Sequence, residues 1–138
     1  MMIIFSIIFL IFGLIVFKST DSIYLKRYLK GLQDTREYLS DQEILAFYID
    51  YKLSEISVLE LWNEVATNFD IPPGYLRPED CLAEMGILQF IVDHPKLENL
   101  TDIAREREKA LNKSIDLESI STLDDYIKAF AVKAQIKN

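Results

Sequence analysis

Hydrophobic positions run almost unbroken from Met1 to Phe17, which reads Met-Met-Ile-Ile-Phe-Ser-Ile-Ile-Phe-Leu-Ile-Phe-Gly-Leu-Ile-Val-Phe and carries no charge. A helix apolar on every side has no face to give to water, so it belongs in lipid or in the interior of a larger complex. At about 1.5 Å per residue it covers roughly 25 Å, near the short limit for crossing a bilayer. A body this small needs no such helix in its core, and the pattern predicts a transmembrane anchor over residues 1–17. A cleaved signal would show basic residues before the apolar run and small residues at its end, and neither is present. Lys18, Lys26, Arg27 and Lys30 follow the segment, within the window where positive charge sets orientation. The expectation is a single-pass protein of the inner (cell) membrane with its body in the cytoplasm.

Beyond the anchor the apolar positions recur at helical spacing. Ile23, Tyr24, Leu25, Tyr28, Leu29 and Leu32 give one face of a helix close to the membrane, weakened at Gly31. Ser40 with Glu43 is a capping-box pattern and predicts a helix from about Asp41 to Leu53. Ser57 with Glu60 is a second such pattern, opening the most amphipathic stretch of the chain, with Val58, Leu61, Trp62, Val65 and Phe69 on one side. That helix is predicted to end near Asp70. Pro72 and Pro73 lack amide hydrogens and force extended backbone before a turn at Gly74, and Pro78 suits the first turn of a short helix through Glu79, Asp80, Leu82 and Met85. Ile87 to Val92 is too short for periodicity to separate a buried strand from a helical turn. Leu100, Ile103, Ala104, Arg107 and Leu111 predict a further helix capped by Thr101, with the Arg107 stem along its apolar edge. Ser121 or Thr122 caps a last one carrying Leu123, Tyr126, Ile127, Phe130, Ala131 and Ala134, with Lys133 and Lys137 at its end. The chain therefore reads as all-α, with an anchor at 1–17, juxtamembrane helices at 18–55 and a helical bundle domain at 56–138.

Charge narrows the function classes. With 22 Asp and Glu against 15 Lys and Arg the net charge is −7, and the basic residues outside the juxtamembrane cluster are scattered among acids. Nucleic-acid binding is excluded on that pattern, whereas docking onto a basic protein surface fits it. The basic cluster itself suits anionic lipid head groups. A single cysteine, Cys81, rules out an internal disulfide.

Candidate chemistry is sparse. His94 is the only histidine; Asp93 beside it does not form a proton-transfer pair, because adjacent side chains point apart and a base needs an oriented partner and a pocket. His94 with Glu98 has no recognisable metal-ligand spacing. Cys81 lies near the start of a short helix, where a thiolate gains some stability, but it lacks a partner histidine or cysteine and reads as a half-buried packing residue. The four glycines, Gly13, Gly31, Gly74 and Gly86, are too dispersed to cradle a phosphate. No catalytic, metal or cofactor set emerges, so no cofactor is expected and the chain is not read as an enzyme. The residues that suggest a partner contact are Tyr75, Arg77 and Glu79, in and beside the proline loop.

The order of an amphipathic helix, the Ile71-Pro-Pro-Gly74 loop, the Leu76-Arg-Pro-Glu-Asp80 turn, a charged helix and then Ile120-Ser-Thr-Leu-Asp-Asp-Tyr-Ile127 resembles acyl carrier proteins, which are small acidic four-helix bundles. In that family a long loop leads to a Gly-x-Asp-Ser-Leu element, and the last helix often opens with an Ile-Thr-Thr-Val type sequence, to which Ile120-Ser121-Thr122-Leu123 is similar. The resemblance covers roughly residues 57–131. The family's working residue is a serine bearing a phosphopantetheine arm, yet after Met85-Gly86 this chain reads Ile87-Leu88-Gln89-Phe90, and no serine occurs between Ser57 and Ser114. Without that hydroxyl no thioester can be carried, so the resemblance implies a carrier-like scaffold used for contacts; a plain helical bundle unrelated to carriers fits the same residues. The function expected is that of a membrane-anchored, non-catalytic domain that binds a protein partner, as adaptor or scaffold. Two other readings stand beside it: a small acidic immunity or inhibitor protein that neutralises a toxin, and an enzyme with an unrecognised site.

Overall fold

The amphipathic stretches fold into helices joined by short turns. The computed structural model describes the backbone of residues 2–87 and 95–135, and the side chains there except at 2–5, 17–22, 86 and 87. Six α-helices appear among the described residues: α1 (Met2–Thr35), α2 (Asp41–Ala46), α3 (Glu55–Phe69), α4 (Leu82–Ile87), α5 (Pro95–Leu111) and α6 (Leu123–Phe130). Single 3-10 turns lie at Ile49–Tyr51, Pro73–Tyr75 and Leu117–Ser119. The described residues hold no strand, only isolated antiparallel bridges between Leu53 and Lys133 and between Cys81 and Thr122. The element expected at Ile87–Val92 lies outside the described residues beyond Ile87, as do Asp93, His94 and Lys137.

α1 joins two segments that the sequence had separated. Its 34 residues form one continuous helix, about 51 Å long, running from the apolar segment through the basic cluster. Every residue from Ser6 to Val16 is exposed, and the large apolar side chains among them lie 47% to 81% in the open. Within the described residues no helix is long and apolar enough to cross a membrane. The apolar side chains described there span eleven residues, about 16 Å of helix, which is less than a bilayer core. Gly31 does not end the helix, because the Thr35 hydroxyl donates to the Gly31 carbonyl at 2.7 Å and Leu32 is buried in the bundle.

α3 is the centre of the body. Val58, Leu61, Trp62, Val65, Ala66 and Phe69 are all buried, as their spacing predicts, and α3 packs against α2, α5 and α6. Trp62 is fully enclosed: its ring stacks on Phe47 at 6.4 Å and meets Tyr48 edge-on at 6.4 Å, while its indole N–H donates to the Pro73 carbonyl at 2.9 Å. Leu32 of α1, Ile44 of α2 and Tyr48 belong to the same core as α3 to α6. Residues 32–48 thus share the interior of the bundle.

Helix ends depart from the sequence reading at several points, each for a local reason. α3 begins one turn early, at Glu55, because Ser54 supplies the cap; Ser57 instead accepts the Val132 amide on its hydroxyl at 3.0 Å. α2 does have the expected Ser40–Glu43 capping box, but it stops at Ala46, and Lys52 turns the chain through a left-handed conformation with φ of 53°. α5 is already helical at Pro95, the first described residue of this segment, so Thr101 lies inside the helix and its hydroxyl donates to the Leu97 carbonyl at 2.9 Å. α6 ends at Phe130, and the next residues extend to pair with 52–54: Ser54 N–H donates to the Val132 carbonyl at 2.8 Å and Ala134 N–H to the Lys52 carbonyl at 2.9 Å. Ala131 and Ala134 therefore leave the helical face assigned to them.

The start of α6 has the second full capping box. The Asp125 carboxylate accepts the backbone N–H groups of Thr122 at 3.0 Å and Ser121 at 3.1 Å, while Asp125 N–H donates to the Thr122 hydroxyl at 3.1 Å. The Ser121 amide, then the Thr122 amide, hold this carboxyl below the usual range. A depressed folded-state value adds stability above the unfolded carboxyl range, near pH 4, and that stability is lost as pH falls through the folded value. Asp125→Ala should cost about 1 kcal/mol at pH 7 by urea denaturation, with the gap to the parent narrowing below about pH 4.

Candidate functional site

The joint from Asp70 to Cys81 is tied on three sides. Asp70 closes α3 in a left-handed conformation with φ of 55°, and Ile71 and Leu76 are buried on either side of the 3-10 turn Pro73–Tyr75. The Asp80 carboxylate takes the Arg36 guanidinium two-pronged, at 2.7 and 2.8 Å, and accepts the Arg77 amide at 2.8 Å. Arg36 also donates to the Tyr75 carbonyl at 2.8 Å. The hydrogen bonds that Arg36 donates to Asp80 push the Arg36 pKa up. On the far side, the carbonyls of Asp80 and Pro78 accept the N–H groups of Leu123 at 3.0 Å and Asp124 at 2.9 Å. These are unpaired donors at the start of α6, so the joint serves as a backbone cap for that helix.

The three residues singled out from the sequence have different places here. Tyr75 is half-buried, its ring edge-on to Tyr38 at 5.2 Å. Arg77 is also half-buried, and its guanidinium donates to the carbonyls of Gly74 at 3.0 Å, Leu76 at 2.8 Å and Glu37 at 2.7 Å. The first two bonds brace the joint internally, and the third fastens it to the segment after α1. Glu79 alone is exposed, at the tip of the turn, and makes no ion pair among the described residues. Gly74 is needed for close approach: a Cβ there would sit 2.6 Å from the Tyr38 ring. Gly74→Ala is expected to lose about 1–3 kcal/mol in chemical denaturation, and adding Tyr38→Ala should recover part of that loss.

Beside Glu79 a surface pocket of about 320 Å³ opens between Pro78, Phe47, Tyr51, Thr122 and Asp124. Phe47 and Tyr51 stand 42% and 45% exposed at its rim. Lys128 reaches toward the same place from α6: its ammonium lies 4.4 Å over the Tyr51 ring centre and 2.6 Å from the Asp124 carboxylate. Tyr48, next to Phe47 in the chain, is 3% exposed and lines a separate cavity with Leu45, Ile49, Leu53 and Val58. Burial chiefly, and then the Asp124 charge, raise the Tyr48 pKa well above the ordinary phenol range. A helix continued from Asp41 to Leu53 would have kept Phe47, Tyr48 and Tyr51 on one helical period. Because α2 stops at Ala46, Phe47 and Tyr51 stand partly exposed while Tyr48 is buried.

A second polar cluster joins three helices. Glu64 of α3 accepts the Arg107 side chain of α5, with Nε at 3.1 and 3.2 Å, and the Tyr126 hydroxyl of α6 at 2.5 Å. Arg107 thus does more than lay its stem along an apolar edge. Burial, followed by the Glu64 hydrogen bond, raises the Tyr126 pKa, so this phenol remains protonated and donating. Between α4, α5 and the Leu117–Ser119 turn there is also an apolar cleft of about 260 Å³, lined by Leu82, Leu97, Leu100, Ala104 and Ile120 among others.

Neither feature assembles a reaction centre. Cys81 is half-buried and bridged to Thr122, just ahead of α4. His94 lies outside the described residues, and Glu98 is exposed. Among the described residues no group of three His, Cys, Asp or Glu could hold a metal ion. No protein-family model, curated protein or solved structure gives a significant match to the chain.

Proposed function

We propose that the protein is a single-pass membrane-anchored helical domain that works by docking a protein partner, without turnover. The observation that carries this reading is the collar of apolar side chains on α1, exposed on every side from residue 6 to residue 16. Nine large hydrophobic side chains on one helix without a polar face favour a non-aqueous neighbour, and the sequence from 1 to 17 is free of charge throughout. Lys26, Arg27 and Lys30 are exposed on the same helix beyond it, and basic residues so close to an anchor support a body on the cytoplasmic side of an inner membrane.

The scaffold reading of the body rests on its joint. The loop between α3 and α4 has the position of a carrier's active loop, yet the residues after Met85-Gly86 offer no hydroxyl for a prosthetic arm. A carrier-like bundle lacking its arm retains a surface, and here that surface is acidic. Glu79 at the tip of the turn is its most accessible member, and Tyr75 and Arg77 shape the ground on which it stands.

Alkaline carbonate extraction of cells expressing the full chain tests the anchor, with the protein expected in the membrane pellet. Changing Ile8 and Ile11 both to Lys should move it to the supernatant, since a cation in the middle of a membrane helix costs about 3 kcal/mol. Recovery of the parent chain as a soluble protein would end this reading. A photo-crosslinker placed at Glu79 tests docking: a discrete adduct reproduced with the identified partner in purified form supports it, and absence of any adduct in membranes contradicts it.

A further inference from the structure

The pocket beside Glu79 has a lining that selects for charge and shape together, and within the docking function proposed above we infer that it receives an arginine side chain of the partner protein. Two aromatic rings, Phe47 and Tyr51, and two carboxylates, Glu79 and Asp124, face one space of about 320 Å³. Aromatic faces attract cations, and a planar guanidinium can lie on a ring while donating to carboxylates at its edges. An ammonium is a point charge without a flat face, so it would use the rings less well.

The molecule already shows that the place attracts cations. Lys128 of α6 is held between Asp124 and the Tyr51 ring, at 2.6 Å and 4.4 Å. It satisfies one carboxylate and one ring, whereas Glu79 makes no ion pair and Phe47 no cation contact among the described residues. A net charge of −7 favours approach by a basic surface over an acidic one. Lys128 then acts as an internal competitor: an incoming guanidinium shares Asp124 with it or displaces it toward solvent, where its side chain is already 38% exposed.

The test uses the full chain in lipid nanodiscs, titrated with the capped tripeptide Gly-Arg-Gly and with the same peptide carrying citrulline, the neutral isostere of arginine. Nuclear magnetic resonance should show saturable shifts confined to residues around Tyr51 and Thr122, with the citrulline peptide weaker by about fivefold or more. Glu79→Gln, at an exposed position with no bond to lose, should weaken the arginine peptide about threefold. Lys128→Met should strengthen it by a similar factor, an effect that a merely structural lysine would not produce. Equal binding of the two peptides, no saturable shift up to about 20 mM, or indifference to Lys128→Met would overturn the pocket. Crosslinking in cells separates this from the docking proposal. A partner captured equally by parent and Glu79→Gln overturns the arginine pocket while docking stands; arginine-selective peptide binding with no captured partner supports the pocket and overturns docking.

Discussion

Trp62→Ala should remove about 3–5 kcal/mol of stability, and with it most of the margin of a body this size. The indole is fully enclosed, packed against Phe47 and Tyr48, and it both fills the centre of α3 and fixes the joint through its bond to the Pro73 carbonyl. Truncation leaves a cavity the size of a bicyclic ring and strips a partner from that carbonyl in one step. Trp62→Phe separates the two effects. It retains most of the packing and loses the hydrogen bond, so a loss of about 1–3 kcal/mol is expected by denaturant titration. If Trp62→Phe cost as much as Trp62→Ala, the joint would depend on that one bond more than on packing.

Asp80→Ala should destabilise by about 2–4 kcal/mol and should also loosen α1 from the body. The carboxylate side chain is only 9% exposed, and it holds Arg36 from the end of α1 together with the Arg77 amide of the joint. Removal leaves the Arg36 guanidinium, 25% exposed, without its counter-charge, which is the costly way to break an ion pair. A double-mutant cycle with Arg36→Ala should give a coupling energy above about 1 kcal/mol. Hydrogen exchange should accelerate at residues 28–36 more than within α3, since Tyr28, Leu29 and Leu32 are the remaining contacts of α1 with the bundle core. A uniform acceleration across α3 and α6 would instead make Asp80 a global support with no special link to α1.

Those two residues show what sequence could and could not reveal. Trp62 was placed in the core by spacing alone, as were Val58, Leu61, Val65 and Phe69, because a fifteen-residue helix gives several turns in which to read a period. The Ser40–Glu43 capping box and the Thr122 cap were legible because each is a local signal spanning four residues, whereas the box expected at Ser57 with Glu60 gives way to a cap at Ser54. Asp80 carried no such signal. Its partner Arg36 is 44 positions away, and only the fold brings them together. The same holds for Glu64 with Arg107 and Tyr126, and for the pairing of 52–54 with 132–134 that ends α6 early. Of the three residues chosen for partner contact, Arg77 proved committed to backbone carbonyls and Tyr75 to the Tyr38 ring, so only Glu79 is presented outward. The aromatic half of the neighbouring pocket was hidden because Phe47 and Tyr51 continue a helical period that the backbone abandons at Ala46.

The continuous α1 links these local findings to function. Between the apolar collar and Leu32 there is no turn, so the helix that is proposed to enter the bilayer also supplies part of the bundle core. A stiff connection of this kind would hold the Glu79 pocket at a set distance and angle from the membrane, as the proposed docking of a partner requires.

The most direct measurement is a nitroxide scan along residues 6–32 of the full chain in liposomes, recording accessibility to oxygen and to a water-soluble nickel complex. The account predicts high oxygen and low nickel access at every position from 6 to 16, with no periodicity. From 23 to 32 it predicts a helical period in which accessibility is lowest at Tyr28, Leu29 and Leu32. Nickel access across 6–16, or a helical period there that marks a protein-packed face, would contradict it.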